Sequence, residues 1–572
     1  MDEQSKKYAL EVSIFLCLIA LAVSLGLTNI VPVGSLTAYS FKIFNLVFYV
    51  PPALWVVFLV FGIAIILFHL RDASWISHST SHRLILALSL VIVIVFQTIP
   101  YITESNPRFV DSWVHGTSAK GILTSGSLQL DKLGYQTYPL SFIFLSTFSQ
   151  VCGIELVSLL RIVPLVFAAL FFSFLAFFAN ELFSDIKLTC MSILVYGLST
   201  YELTFHFSPE IFGWLFFFLG LAFIAKGIKD DTTAFSRSRS SYVVVVLLIF
   251  AISITHPVTQ FMFALILLIL VLFRKRIWNH RLHSERTFHL LVIALVIFSA
   301  WALNFAISYL SSILSWFLST FLRVISDLGF STAAQPFQQD FPSAISNLLV
   351  YRQSLYLTTL LAGFGGLYLL SRRNHKESFF LLALLLVSFV AFPLTLFGIL
   401  PLERSIKLAF IPLSILSGYL IVKRKRVGAV AIAFLLMTIP VNFASLYWNE
   451  VGKSMTHSWE ISSAMFIGAR FNGVILGEFK ETAIDNFYGN FSKVYNDYYQ
   501  GGNRPDLSDL FNYSFIEGHN VGLIYTTQLT VLSTNLHSEN DPNSLFLNLP
   551  FLNLVHSDGY SWVYTSNRDG SV

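Results

Sequence analysis

Charge is scarce in this chain. Only 12% of its 572 residues are Asp, Glu, Lys or Arg, about half the roughly 25% of a soluble domain. That shortage excludes a soluble enzyme, and a net charge of +4 is too small for the basic surface of a conventional nucleic-acid binder. Cysteine is scarcer still. Cys17, Cys152 and Cys190 sit in or beside apolar segments with no paired spacing, so neither a disulfide framework nor a zinc site is indicated. Repeats and low-complexity tracts are missing. What fills the chain is apolar: 55% hydrophobic residues, 57 Phe and a mean hydropathy of +0.69. A disordered chain cannot have that composition. The sequence describes a polytopic membrane protein.

A bilayer core takes roughly 20 apolar residues as a helix. Such runs fall near 8–30, 44–70, 84–101, 156–181, 189–205, 210–227, 242–256, 258–273, 288–309, 353–371, 378–398, 404–422 and 427–446. The first is too long, and lacks the small-residue cleavage site, to be a removable signal peptide. With the N-terminus inside, the inner loops receive 21 Lys/Arg against 8 in the outer ones, which the positive-inside rule favours. The expected fold class is therefore an all-α polytopic membrane protein of about 13 transmembrane helices, N-in and C-out in the cell membrane. Two outer segments, 102–155 and 310–352, are too long for turns. Within the first, Tyr138–Gly153 is apolar but too short to cross, and it reads as a helix at or dipping into the outer interface. Counting it as a span would place the basic cluster 274–286 outside.

After residue 446 the character changes. The tail holds 13 Asp/Glu against 6 Lys/Arg, and 474–479, 521–527, 552–557 and 560–566 read as strands bounded by Gly, Asn and Asp. An extracytoplasmic α/β or α+β domain is expected over 447–572. Residues 1–83 carry two N-terminal spans and a cytoplasmic loop, and 84–446 the transmembrane core. The tail contains two sequons, Asn490-Phe-Ser and Asn512-Tyr-Ser, which can be glycosylated only on an outer face.

Ionisable residues at span mouths are the candidates for chemistry. In the first outer loop Asp111 and His115 stand i and i+4 on a helix, sharing one face. Such a pair could hold a divalent cation or take a proton from an acceptor hydroxyl; a helix-start Asp beside a nearby His is the plain structural alternative. Glu210 opens a span after an outer turn, where the helix dipole favours an acid and a metal or substrate role is the sharper alternative. His256-Pro257 marks another outer turn, as a helix end or a substrate contact. Arg404 and Lys407 begin a late span at its outer side, where a cation opposes the dipole. Snorkelling explains them, and so does binding a lipid-linked phosphate, whose oxygens match the guanidinium fork of Arg404. Arg352 precedes another outer span. All of these fall on the outer face.

The ordered pattern over 84–446 resembles the GT-C superfamily of membrane glycosyltransferases, which includes the oligosaccharyltransferase catalytic subunit and the polyprenyl-phosphate-sugar-dependent mannosyl- and aminoarabinose transferases. The resemblance rests on Asp111-x-x-x-His115 with Ala119-Lys120 and Gly126, on the Tyr138-Pro139 helix ending at Gly153, on Arg161 near the start of the next span, on Ser208-Pro209-Glu210 one hairpin later, and on Arg404. Two spans precede the segment that would be the family's first, the second acidic motif is a single Glu, and Trp-Trp-Asp-Tyr-Gly is absent from the tail, which argues against transfer to peptide sequons. The resemblance implies transfer of a sugar from a polyprenyl- or dolichyl-phosphate donor to an extracytoplasmic acceptor. Asp111 would then be general base or metal ligand, with His115 and Glu210 as companion catalytic residues and ligands of Mg2+ or Mn2+. Arg404 would stabilise the phosphate leaving group, and Arg352, Lys120, Tyr138 and His256 would line the substrate site. Membrane lipids are the other expected partners, and nucleic acid is not one. A transporter or flippase of lipid-linked sugar is the alternative, but charges stand at span ends rather than midplanes and no repeat is present.

Overall fold

The computed structural model describes residues 58, 60–65, 79–311 except 104–105, 108, 129–134, 200–204, 230–238 and 274–280, then 314–315, 318, and 353–436 except 372–375 and 397–401. In the tail it describes 458–470, 474–476, 484, 487–488, 493–495, 521–527, 552–557 and 561–566. The ten expected spans between 84 and 422 all fall on helices. These are α1 (Ser79–Thr103), α4 (Leu156–Phe183), α5 (Ile186–Ser199), α6 (Pro209–Lys229), α7 (Arg239–Ser253), α8 (Pro257–Leu272), α9 (Arg281–Asn304), α10 (Gln353–Ser371), α11 (Lys376–Leu396) and α12 (Leu402–Lys423). Two shorter helices lie in the first long loop, α2 (Val110–Ser125) and α3 (Leu140–Cys152). The expected span 8–30 lies outside the described residues, as does most of 44–70. Residues 425–436 are helical, and the rest of that span is not described.

Three described helices are long and apolar enough to cross a bilayer: Leu156–Phe183, Pro209–Lys226 and Glu285–Asn304. The surface agrees with a lipid solvent. Leu247, Leu303, Leu367, Phe389 and Val430 point outward, an arrangement whose apolar area would be a liability in water and costs nothing among acyl chains. Inside, association must come from close packing and polar contacts, since lipid tails are as apolar as leucine. Phe171 lies 4.6 Å from Phe218 and 5.1 Å from Phe205, edge to face. Gly365 on α10 lets Leu416 on α12 approach by its backbone. The Ser417 hydroxyl donates to Thr358 O at 2.8 Å, and Ser199 and Thr358 hydroxyls meet at 2.6 Å.

Helix ends are set by local chemistry. Gly126 and Gly153, at φ 67° and 65°, stop α2 and α3 in the left-handed conformation that glycine adopts without strain. Pro257 starts α8 at a position where its missing N–H is no loss. The chain runs back and forth, so the α1 end, the α5–α6 turn, the α7–α8 turn and the start of α12 share one end of the bundle. Direct contacts tie this end together: Phe109 to His206 at 5.2 Å, Leu140 N–H to Ile254 O at 3.4 Å, and Trp301 Nε1 to Thr137 O at 3.0 Å. At the opposite end Phe183 meets Tyr419 at 6.0 Å, and Lys423 and Arg424 lie over Tyr419 and Tyr368.

The tail contributes a helix, α13 (Ser458–Arg470), and five strands: β1 (Val474–Leu476), β2 (Lys493–Tyr495), β3 (Val521–Thr527), β4 (Leu552–Ser557) and β5 (Ser561–Ser566). They form one mixed sheet in the order β2-β1-β3-β5-β4, with β1 parallel to β2 and β3, and β5 antiparallel to β3 and β4. Four of these strands are the expected ones. The three-residue β2 is too short to show a period of two.

Candidate functional site

Four charged or titratable side chains from three separated stretches meet at the end described above. Asp111 stands in the first turn of α2, where the dipole favours a carboxylate. His206 comes from the turn before α6, and its Nε2 lies 3.5 Å from Asp111 Oδ2. Glu210 stands in the first turn of α6, and its Oε1 accepts from Trp214 Nε1 at 3.1 Å and from Lys407 Nζ at 3.2 Å. Lys407 lies in the second turn of α12. The two pairs differ in setting. The Glu210 and Lys407 side chains are 15% and 14% exposed, whereas Asp111 keeps 60% of its surface open. A closed, neutralised pair therefore stands beside an accessible carboxylate.

Enclosure by surrounding protein pushes the Asp111 carboxyl upward. The hydrogen bond and charge of His206, aided by His115, outweigh this and bring it down from 3.8 to about 2, while Glu210 opposes them. The ionic part of this effect exists only while the imidazoles carry a second proton. Asp111 is thus a carboxylate at any physiological pH, and Glu210 is near enough to repel it.

The sequence candidates fall into distinct places. Asp111 and Glu210 are in the cluster. His115 shares a helix with Asp111 as expected, but it is buried, with its ring 5.7 Å from Phe142 on α3. Lys120 donates to Phe487 O and lies 5.2 Å over that residue's ring; burial lowers its ammonium below the usual range. It is bound to the tail of its own chain. Tyr138 is fully buried at the start of α3, 6.0 Å from Tyr309. His256 caps α8, its Nδ1 2.8 Å from Thr259 Oγ1 and accepting Thr259 N–H at 3.3 Å. Arg404 lies on α12 one turn before Lys407, and Arg352 lies outside the described residues. Among the described residues no group of three His, Cys, Asp or Glu is placed to hold a metal ion. Asp111, Glu210 and His115 are therefore not gathered as a ligand set: His115 packs into α3, and Glu210 is taken up by Lys407 and Trp214.

Sequence reasoning missed His206 as a partner of Asp111 and Lys407 as a partner of Glu210. The signal for His206 was its place four residues before Glu210 in the same outer turn. Nothing local pairs Lys407 with Glu210 across 197 positions.

This architecture, with a long first loop and a charged cluster at the loop end of a multihelical bundle, is a fold that solved structures share. Among solved structures, archaeal oligosaccharyltransferase AglB from Archaeoglobus fulgidus, in complex with an inhibitory peptide and a dolichol-phosphate, aligns with a TM-score of 0.55 at 11% identity, over 86% of this chain and 75% of that one. The Archaeoglobus fulgidus oligosaccharyltransferase tethered to an acceptor peptide aligns with a TM-score of 0.54 at 10% identity, over 86% and 74%. ArnT from Cupriavidus metallidurans bound to undecaprenyl phosphate gives a TM-score of 0.45 at 12% identity, over 88% and 100%. No family model and no curated protein matches the sequence.

Proposed function

We propose that this protein is a membrane glycosyltransferase that moves a sugar from a polyprenyl- or dolichyl-phosphate donor to an acceptor at the extracytoplasmic face. In this reading 84–446 form the transferase core within about 13 spans, 1–83 add two further spans, and 447–572 form an extracytoplasmic domain. The observation that carries it is the meeting of Asp111 with His206, beside Glu210 and Lys407, on a fold shared with an enzyme whose structure holds a dolichol-phosphate.

In the reaction the acceptor's nucleophilic atom bonds to the anomeric carbon. The bond from that carbon to the phosphate oxygen breaks, its electrons leaving on the lipid phosphate. Asp111 is the accessible carboxylate of the cluster and is ionised at physiological pH. Asp111 takes up the acceptor's proton as the new bond forms, and its charge steadies the positive charge growing on the sugar ring. Arg404 is the residue assigned to the departing phosphate, whose oxygens a guanidinium matches, and Lys407 stands one turn further along α12. His115 and Glu210 act on Asp111 through their charges.

The test uses membranes supplied with a radiolabelled polyprenyl-phosphate sugar. Asp111→Asn keeps the shape and removes the charge, and transfer is expected to fall by about 100-fold, the scale of losing one preorganised electrostatic group. Unchanged transfer removes Asp111 from the mechanism, and uptake of lipid-linked sugar without any acceptor would favour the transporter.

A further inference from the structure

The helix that carries Asp111 is gripped by the far end of the chain. Trp113, Gly116 and Lys120 stand at i, i+3 and i+7 of α2 and so form one stripe along it. Phe487 and Tyr488 lie on that stripe. The fully buried Trp113 ring sits 5.2 Å from Phe487, edge to face, and 6.1 Å from Tyr488. A Cβ on Gly116 would stand 2.7 Å from Leu160 Cδ1 of α4 and 3.2 Å from the Phe487 ring, so the bare glycine lets the helix seat closely between them. Lys120 closes the stripe by donating to the Phe487 carbonyl and covering its ring. The indole N–H of Trp113 reaches back 3.1 Å to Pro107 O, just ahead of the turn where Asp111 stands. Three contacts on successive turns thus fix both the rotation and the height of α2.

We propose that Phe487 and Tyr488 form a positioning clamp that holds α2 against the turn before α6, so that Asp111 meets His206 only when this part of the tail is seated. In this arrangement Phe487 acts on the pair through Trp113 and Lys120. The proposal takes the importance of the pair from the transferase reading, and its test reads geometry rather than sugar transfer, so the two stand or fall separately.

The full chain is prepared with Cys17, Cys152 and Cys190 replaced by Ala. Asp111→Cys with His206→Cys reports the site end, and Phe183→Cys with Tyr419→Cys reports the opposite end. A short bis-methanethiosulfonate reagent bridges each pair. In a Phe487→Ala background the 111–206 bridge is expected to form about tenfold more slowly, as a displacement near 1 Å costs that much or more, while the 183–419 bridge keeps its rate. Lys120→Met removes one contact without opening the core and is expected to give the same pattern to a smaller degree; Phe487→Leu restores bulk and part of the rate. If both variants leave the 111–206 rate unchanged, or slow the two bridges alike, the clamp is overturned.

Discussion

At the level of single residues, the site turns on how differently its two carboxylates are treated. Glu210 is neutralised in a nearly closed pair, and Lys407 supplies charge to it at 3.2 Å. Lys407→Met is expected to cost roughly 2 kcal/mol, and Lys407→Met with Glu210→Gln less than the sum of the single changes, as a double-mutant cycle in thermal unfolding would show. Asp111 is open and held low. A carboxyl whose folded value lies beneath its ordinary 3.8 stabilises the fold above about pH 4 and loses that contribution as pH falls toward 2. The stability difference between wild type and Asp111→Asn is therefore expected to stay level from the carboxyl's side between pH 6 and about 4 and to shrink below it, measurable by melting in detergent. Asp111 was legible in the sequence because an acid in the long loop stood out against so little charge. Its partner was not, since a lone histidine in a turn carries no mark of what lies across the gap.

Helices were the most legible level, because runs of about twenty apolar residues leave the backbone little choice in lipid. The contacts between them were not, because a glycine in such a run does not announce which neighbour it admits. Gly363 and Gly365 make this concrete. Both lie in α10, yet an added methyl at 363 meets nothing within 4 Å, whereas at 365 it runs into the carbonyl of Leu416, which cannot rotate away as a side chain would. Gly365→Ala is expected to destabilise by roughly 1–3 kcal/mol, as overpacking does. Gly363→Ala is expected to be neutral or slightly stabilising, since alanine is the better helix former. Thermal unfolding of the two purified variants decides it. Likewise α3 was visible as a short apolar stretch, while its inward serines, Ser146 donating to Ala119 O and Ser149 to Ile154 O, explain why it turns polar groups toward protein and Phe144 and Phe148 outward.

For the molecule as a whole, the orientation proposed from the placement of Lys and Arg is open to a labelling test. The four-residue basic run Lys423–Arg426 lies at the end opposite Asp111, and Cys152 closes α3 at the Asp111 end. With the proposed orientation, an impermeant maleimide applied to intact cells is expected to label native Cys152, whereas Lys425→Cys is labelled only after permeabilisation. The reverse pattern would invert the topology and move the site to the cytoplasm. The tail was legible as strands but not in its sheet order or in its grip on α2, which joins residues 367 positions apart.

That grip gives the protein a built-in order of maturation. Helix α2 leaves the ribosome well before its clasp, so a half-made chain has the acidic loop without the part that aligns it. On the proposed clamp, such a chain would hold Asp111 and His206 out of register until the stretch around Phe487 had been made and folded home.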